Sequence, residues 1–365
     1  MARSLLSLPP EILLNILHVL PIPSLLKFSQ TCRFSHDLAI SNLHTLSMGI
    51  YPSRMSCIVG RLAATRYPLP KTIESAFSLL DPLSSAQGSN QSSRSSSVEP
   101  EYPSSSKATF YDDNDPFRVS IVIPDAHQFD FMTLVKFHTA LTQSVLSRHC
   151  ATLRTLDLSL WTLSTPIANA LSRLPALRAL SLRIEDLHHV RPVPRTYMAT
   201  SHIEQDRAWD ILSTSAGQWA SRLDALRIEN AEVGDEQLIR ILSQTRRLGE
   251  LWLYKCSQID VSLWSFLGSE WEGRTGLRVL AIMHSGTQLD EEVLDVISTL
   301  DGLQYLNLQG CHGLDEEVAV RNRDYWRIPE FVPPHPQLEY RTGPEIIEVD
   351  PAYMENYDES DGSAF

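Results

Sequence analysis

A chain of 365 residues has room for two or three domains, or for one small module beside a long one, and its 43% apolar content supports a sizeable core. The formal net charge of −13 argues against a nucleic-acid backbone or an anionic membrane as main partner, since either wants clustered Lys and Arg. Five cysteines (Cys32, Cys57, Cys150, Cys256, Cys311), odd in number and without CxxC spacing, exclude a disulfide framework and a zinc site; reduced thiols in cytoplasm or nucleus are expected.

Residues 7–46 read as three short helices. Pro9-Pro10 opens the first, where a missing N–H costs nothing, and Glu11 sits at the positive end of the helix dipole. Ile12, Leu13, Ile16, Leu17, Val19 and Leu20 spread over roughly 160° of the circumference, wider than the stripe of an ordinary surface helix. Pro21-Ile22-Pro23 stops it, Ser24 is expected to cap a second helix with Leu25, Leu26 and Phe28, and a third runs from about Arg33 with Phe34, Leu38 and Leu46. About 40 residues cannot bury that much apolar surface alone. With no metal or disulfide pattern present, the stretch calls for a groove on another protein. A secretory leader is not expected, because Pro9, Pro10, Glu11, Asn15 and His18 interrupt the leucines, and no apolar run of about 18 residues suggests a membrane span.

These same residues carry a resemblance. Leu8-Pro9-Pro10-Glu11-Ile12, Ile16-Leu17, Leu20-Pro21, Leu25-Leu26, Cys32-Arg33-Phe34 and Leu38 resemble an F-box, here bounded at 4–48, with Ser41-Asn42-Leu43-His44 standing where that family often has Trp. The resemblance implies docking onto a Skp-type adaptor, and through it a cullin, by Leu8, Pro9, Ile12, Leu13, Ile16, Leu17, Leu20, Leu25, Leu26, Cys32 and Phe34.

Residues 49–80 are expected to be a helical linker, carrying Met55, Ile58, Val59 and Leu62, then Ile73, Phe77 and Leu80. A Ser-rich insert follows at 81–117, its composition unable to offset the entropy of ordering. Val119–Pro124 reads as a strand and 129–149 as a long amphipathic helix. The pattern L-x-x-L-x-[LI] then begins at Leu153, Leu177, Leu223, Leu248, Leu277 and Leu303. Steps near 25 residues are those of leucine-rich repeats, each a strand plus a helix. The double-length step from Leu177 to Leu223 is either two units with one unrecognised or one unit with an insertion. Asp235, Asp290 and Asp315 are expected to cap the connecting helices, and Cys256 and Cys311 to satisfy turn backbone in their repeats. The fold class expected is α/β: a three-helix F-box, then a leucine-rich-repeat solenoid over 118–330 closed by Tyr325, Trp326 and Phe331, and an acidic tail at 331–365.

No catalytic constellation is visible: no GxSxG, GxxxxGK[ST], HExxH or GxGxxG occurs. His188, His189 and His202 read as a loop coincidence rather than a metal site, and no cofactor is expected. What remains is a surface. Alternation along the repeat strands puts Arg183, Arg227, Glu229, Trp252, Tyr254, Met283, Tyr305 and Asn307 on the outward face, where the aromatics resemble a recognition hot spot for an unknown protein target. The F-box resemblance then implies a substrate-recognition subunit of a Skp–cullin–F-box ubiquitin ligase, a receptor of the fungal F-box/leucine-rich-repeat type. The alternative is a non-catalytic scaffold of the same build acting outside a cullin ligase.

Overall fold

The computed structural model describes residues 8–18, 20–64, 69–77, 117–185 and 193–335. The first helix, α1 (Pro10–His18), is closed by Ile12 and Leu13 amides donating to Pro9 O at 3.1 Å. In α2 (Ile22–Ser29) the start is Pro21, with Pro23 inside the first turn. Ser24 is therefore not the cap: proline, which lacks the N–H a cap would satisfy, already organises that turn. Cys32 caps α3 (Arg33–Asn42), its Sγ accepting from the Ser35 amide at 3.4 Å.

The expected helical linker is corrected at its start. Residues Thr45–Tyr51 form strand β1, so Leu46 belongs to a strand and not to the third helix, and among the described residues of the linker only Arg54–Ala64 form a helix, α4. The chain continues as β2 (Arg118–Val122) and α5 (Phe131–Arg148), whose Asp130 cap accepts from the Thr133 amide at 2.7 Å. Strands and helices then alternate: β3 (Thr155–Leu160), α6 (Thr165–Leu171), β4 (Ala179–Ile184), α7 (Arg195–Thr214), the short α8 (Ala216–Trp219), β5 (Ala225–Glu229) and α9 (Asp235–Leu242). The series ends with β6 (Glu250–Tyr254), α10 (Val261–Ser269), β7 (Val279–Met283), β8 (Gln288–Leu289), α11 (Glu291–Ser298), β9 (Tyr305–Asn307), β10 (His312–Gly313), α12 (Asp315–Arg321) and β11 (Glu330–Val332). Of the three aspartates, only Asp290 caps its helix, accepting from Val293 N at 2.9 Å; Asp235 and Asp315 lie one residue inside theirs.

Nine strands make one parallel sheet in the order β11-β9-β7-β6-β5-β4-β3-β1-β2, while β8 and β10 pair separately. Because β4 pairs directly with β5, the double-length step is one unit lengthened by α7 and α8. Registers run in phase, so Leu46, Leu156, Leu180, Leu226, Leu251, Leu280 and Leu306 form one continuous row. That row joins Ile167, Leu171, Leu238, Ile241, Leu263, Leu267, Val293 and Ile297 from the helices in the main core. Each such fully buried side chain contributes roughly 2 kcal/mol.

Four units, those of β5, β6, β7 and β9, turn out of their strands in the same way. Asn230, Lys255 and His284 take positive φ (54°, 50° and 50°), and Gly310 (75°) occupies the corresponding place after β9. A Cβ on Gly310 would also run into the His284 ring, so glycine is required there twice over. At the far end Trp326 Nε1 donates to Ser298 Oγ at 2.8 Å, and Phe331 lies on β11. The boundary at 331 is thus corrected: Phe331 and Val332 pair with Leu306 and Asn307. The Ser-rich insert up to 116 and the acidic tail from 336 lie outside the described residues.

Candidate functional site

The three N-terminal helices enclose a small core of Leu17, Leu25 and Ala39, and Ile22 reaches from them into the main core beside Leu46. Their other apolar side chains face out. Ile12 is 47% exposed, Leu26 54% and Phe34 49%. Pro9 and Cys32 are also exposed, and Leu8, Ile16 and Leu20 are half-buried. Leu13, Leu17 and Leu25 are buried and cannot touch a partner; these three belong to the core rather than the docking surface. The physical reason is that 160° of apolar arc on one helix serves two neighbours, the inner part packing on α2 and α3 and the outer part left open. Among the described residues, then, the expected docking set divides into an exposed edge and an internal support.

The outward face of the sheet is built of three rows. One runs Ala179, Ala225, Glu250, Val279, Tyr305, Glu330; the next Asp157, Ser181, Arg227, Trp252, Ala281, Asn307, Val332; the third Ser159, Arg183, Glu229, Tyr254, Met283. The expectation that this is an open aromatic surface is corrected. Trp252 is 1% exposed, and Arg183, Arg227, Glu229, Met283, Tyr305 and Asn307 are buried as well, with Tyr254 half-buried. The cover is residues 69–77, from the stretch expected to be helical. Phe77 is fully buried with Trp252, Ala281, Met283 and Tyr305, and Leu69, Ile73 and Ala76 pack on the same cluster. Trp252 and Tyr305 rings stand 5.4 Å apart beneath it.

Two carboxylates hold that segment down. Glu250 accepts from Ser75 Oγ and from the Ala76 amide, both at 2.8 Å. At the other end Glu330 accepts from the amides of Lys71 at 2.7 Å and Thr72 at 2.6 Å, and from the Thr72 hydroxyl. Although partial burial acts the other way, these bonds hold the Glu330 carboxyl below the usual carboxylate range. Neither the segment nor its two anchors stood out in the sequence. The only available signal was that Glu250 and Glu330 fall at the same register position on strands of equal phase, which requires the strand alignment to see.

The third row carries a buried charge cluster. Arg183 Nε donates to Glu229 Oε2 at 2.6 Å and Arg227 Nε donates to Glu229 Oε1. Burial pushes the Glu229 carboxyl up, but the two guanidiniums outweigh it and hold it below the usual range. Near the C-terminal ends of β3 to β6, a cavity of about 440 Å³ opens between Trp161, Tyr197, Gln205, Asn230 and Lys255. His202, at its rim, is paired with Glu232, while His188 and His189 lie outside the described residues. Among the described residues no cluster of His, Cys, Asp and Glu could hold a metal ion. Cys256 and Cys311 donate to the carbonyls of Ile228 and Ile282 in the preceding units, and burial pushes both thiols up to about 12.

Comparison with known proteins meets this geometry at one place. The F-box-like family model matches residues 5–45, the stretch that contains α1, α2 and α3. No curated protein matches the chain. Among the described residues no helix is long and apolar enough to cross a membrane.

Proposed function

We propose that this chain is the substrate-recognition subunit of a Skp–cullin–F-box ubiquitin ligase. In this reading the F-box-like helices hold a Skp-type adaptor, and the parallel sheet with its outer helices is a leucine-rich-repeat solenoid that holds a protein target. One observation carries it: Ile12, Leu26 and Phe34 stand exposed on a helical module whose own core is little more than three side chains. Apolar groups gathered on helices and left in water mark a docking surface. Support for the repeat assignment comes from the in-phase leucine row and from Cys256 and Cys311, whose thiols donate to strand carbonyls of the preceding units rather than to turn backbone.

No chemistry is required of this chain. Holding a target near a ubiquitin-charged enzyme raises its effective concentration, and that alone accelerates transfer. A cytoplasmic or nuclear location is part of the proposal, as are the absence of a cofactor and of nucleic-acid or membrane partners. Reconstitution with adaptor, cullin and RING partner tests it. A complex containing cullin and able to ubiquitinate a bound target is expected; adaptor binding without cullin recruitment would favour the scaffold.

A further inference from the structure

The segment 69–77 crosses the outward face of the sheet without becoming part of it. Among the described residues it makes no backbone–backbone hydrogen bond to any strand; the amides of Lys71 and Thr72 go to Glu330, that of Ala76 to Glu250, and that of Phe77 to Ser75 Oγ. Its apolar side chains sit in a cluster separate from the main core, over Ala179, Ala225, Trp252, Val279 and Tyr305. This is how a groove holds a peptide: side-chain acceptors take N–H and O–H donors, and one aromatic anchor fills the deepest hollow.

We propose that residues 71–77 occupy the target site in cis, and that the target is an extended, unphosphorylated peptide segment with the same spacing: a hydroxyl residue, a second hydroxyl three residues later, and an aromatic two beyond that. The spacing is read from Thr72, Ser75 and Phe77. The charge of the site selects against phosphate. Glu250 and Glu330 meet the two hydroxyls, and the nearby cations Arg183 and Arg227 are already bound to Glu229. A phosphate on Ser75 would face the Glu250 carboxylate at hydrogen-bonding range, with the guanidiniums of the neighbouring rows held by Glu229. One on Thr72 would face Glu330, where Lys71 is the nearby cation. Targets would therefore be captured before phosphorylation and released by it, with residues 71–77 as the competitor that sets the threshold.

The proposal rests on the receptor reading above, and its test keeps the two apart. In the full chain, Ser75→Glu sets a like charge against Glu250. A fluorescent peptide of residues 69–77 should bind this variant at least ten-fold tighter than the unaltered chain, and the same peptide phosphorylated at Ser75 should bind neither. Equal affinity for both chains, or preference for the phosphorylated peptide, would overturn the proposal. Hydrogen exchange on the unaltered chain gives a second measurement that needs no variant. The amides of Lys71, Thr72 and Ala76 should exchange at least ten-fold faster than those of Leu253 and Leu280, because the segment opens without the sheet. Equal protection would make the segment an inseparable part of the core and sink the idea. Adaptor co-purification, measured on the same samples, should be unaffected throughout; its loss would speak against the receptor reading instead.

Discussion

Arg183 and Glu229 face each other across β4 and β5, fully buried, with Nε 2.6 Å from Oε2. Arg227 completes the group from Glu229's own strand. A buried pair of this kind adds little over an apolar replacement, but breaking it leaves uncompensated charge in a dry interior. Glu229→Gln should therefore destabilise the chain by about 3–5 kcal/mol, read by denaturant unfolding followed through tryptophan fluorescence. The pH dependence has a definite sign. The folded pKa of Glu229 lies below its unfolded value, so its contribution is present above about pH 4.3 and is lost as pH falls through the folded pKa.

His138 titrates in a different window. It is fully buried and stacked on Trp161 with ring centroids 5.2 Å apart, and burial lowers its pKa to about 4. The unfolded chain takes up a proton near pH 6.5 that the folded chain refuses until about 4. Stability is thus complete above 6.5 and declines between 6.5 and 4, by roughly 3 kcal/mol for this group. Denaturation midpoints measured across that range should show the slope, and His138→Leu should flatten it.

On the N-terminal helices, exposed and buried leucines should behave oppositely. Ile12→Asp with Leu26→Asp should abolish co-purification with a Skp-type adaptor while changing stability by about 1 kcal/mol or less, since both side chains already stand in water. Leu17→Ala opens a cavity in the small core and should cost about 2–5 kcal/mol. Wild-type adaptor recovery with the double aspartate variant would place the docking surface elsewhere.

Trp252 is a core residue in this structure. Its indole lies under Phe77 and beside Tyr305, so Trp252→Ala should lose about 3–5 kcal/mol of stability. A melting temperature within a degree of the unaltered chain would mean that the cover is absent in solution.

Thiol labelling should sort the cysteines. Cys32 is exposed, and the hydrogen bonds from Ser35 lower its pKa; Cys256 and Cys311 are buried with thiols near 12. At neutral pH a thiol reagent should modify Cys32 in the folded chain within minutes and reach Cys256 and Cys311 only on unfolding, as peptide mapping would show.

The leucine pattern located β3 to β7 and β9 because period-two alternation on a strand and a repeat near 25 residues are both local signals. Strand β1 carries the same signal, Leu46, Met48 and Ile50 alternating with Ser47 and Gly49, yet it was hidden by the helix that ends three residues earlier at Asn42. The exposed apolar edge of the first helices was half legible. Helical spacing marks apolar positions, but which of Ile12 and Leu13 turns inward depends on where α2 and α3 lie.

What the chain determined by itself was the period: where the repeat strands β3 to β7 and β9 fall, which face of each is leucine, and that the first helices carry more apolar surface than they can bury. What only the tertiary structure decided was the fate of the opposite face. Ser75 meets Glu250 across 175 positions of sequence and Thr72 meets Glu330 across 258. No local pattern encodes such pairings, because they arise only once nine strands in register have brought the two carboxylates onto one surface.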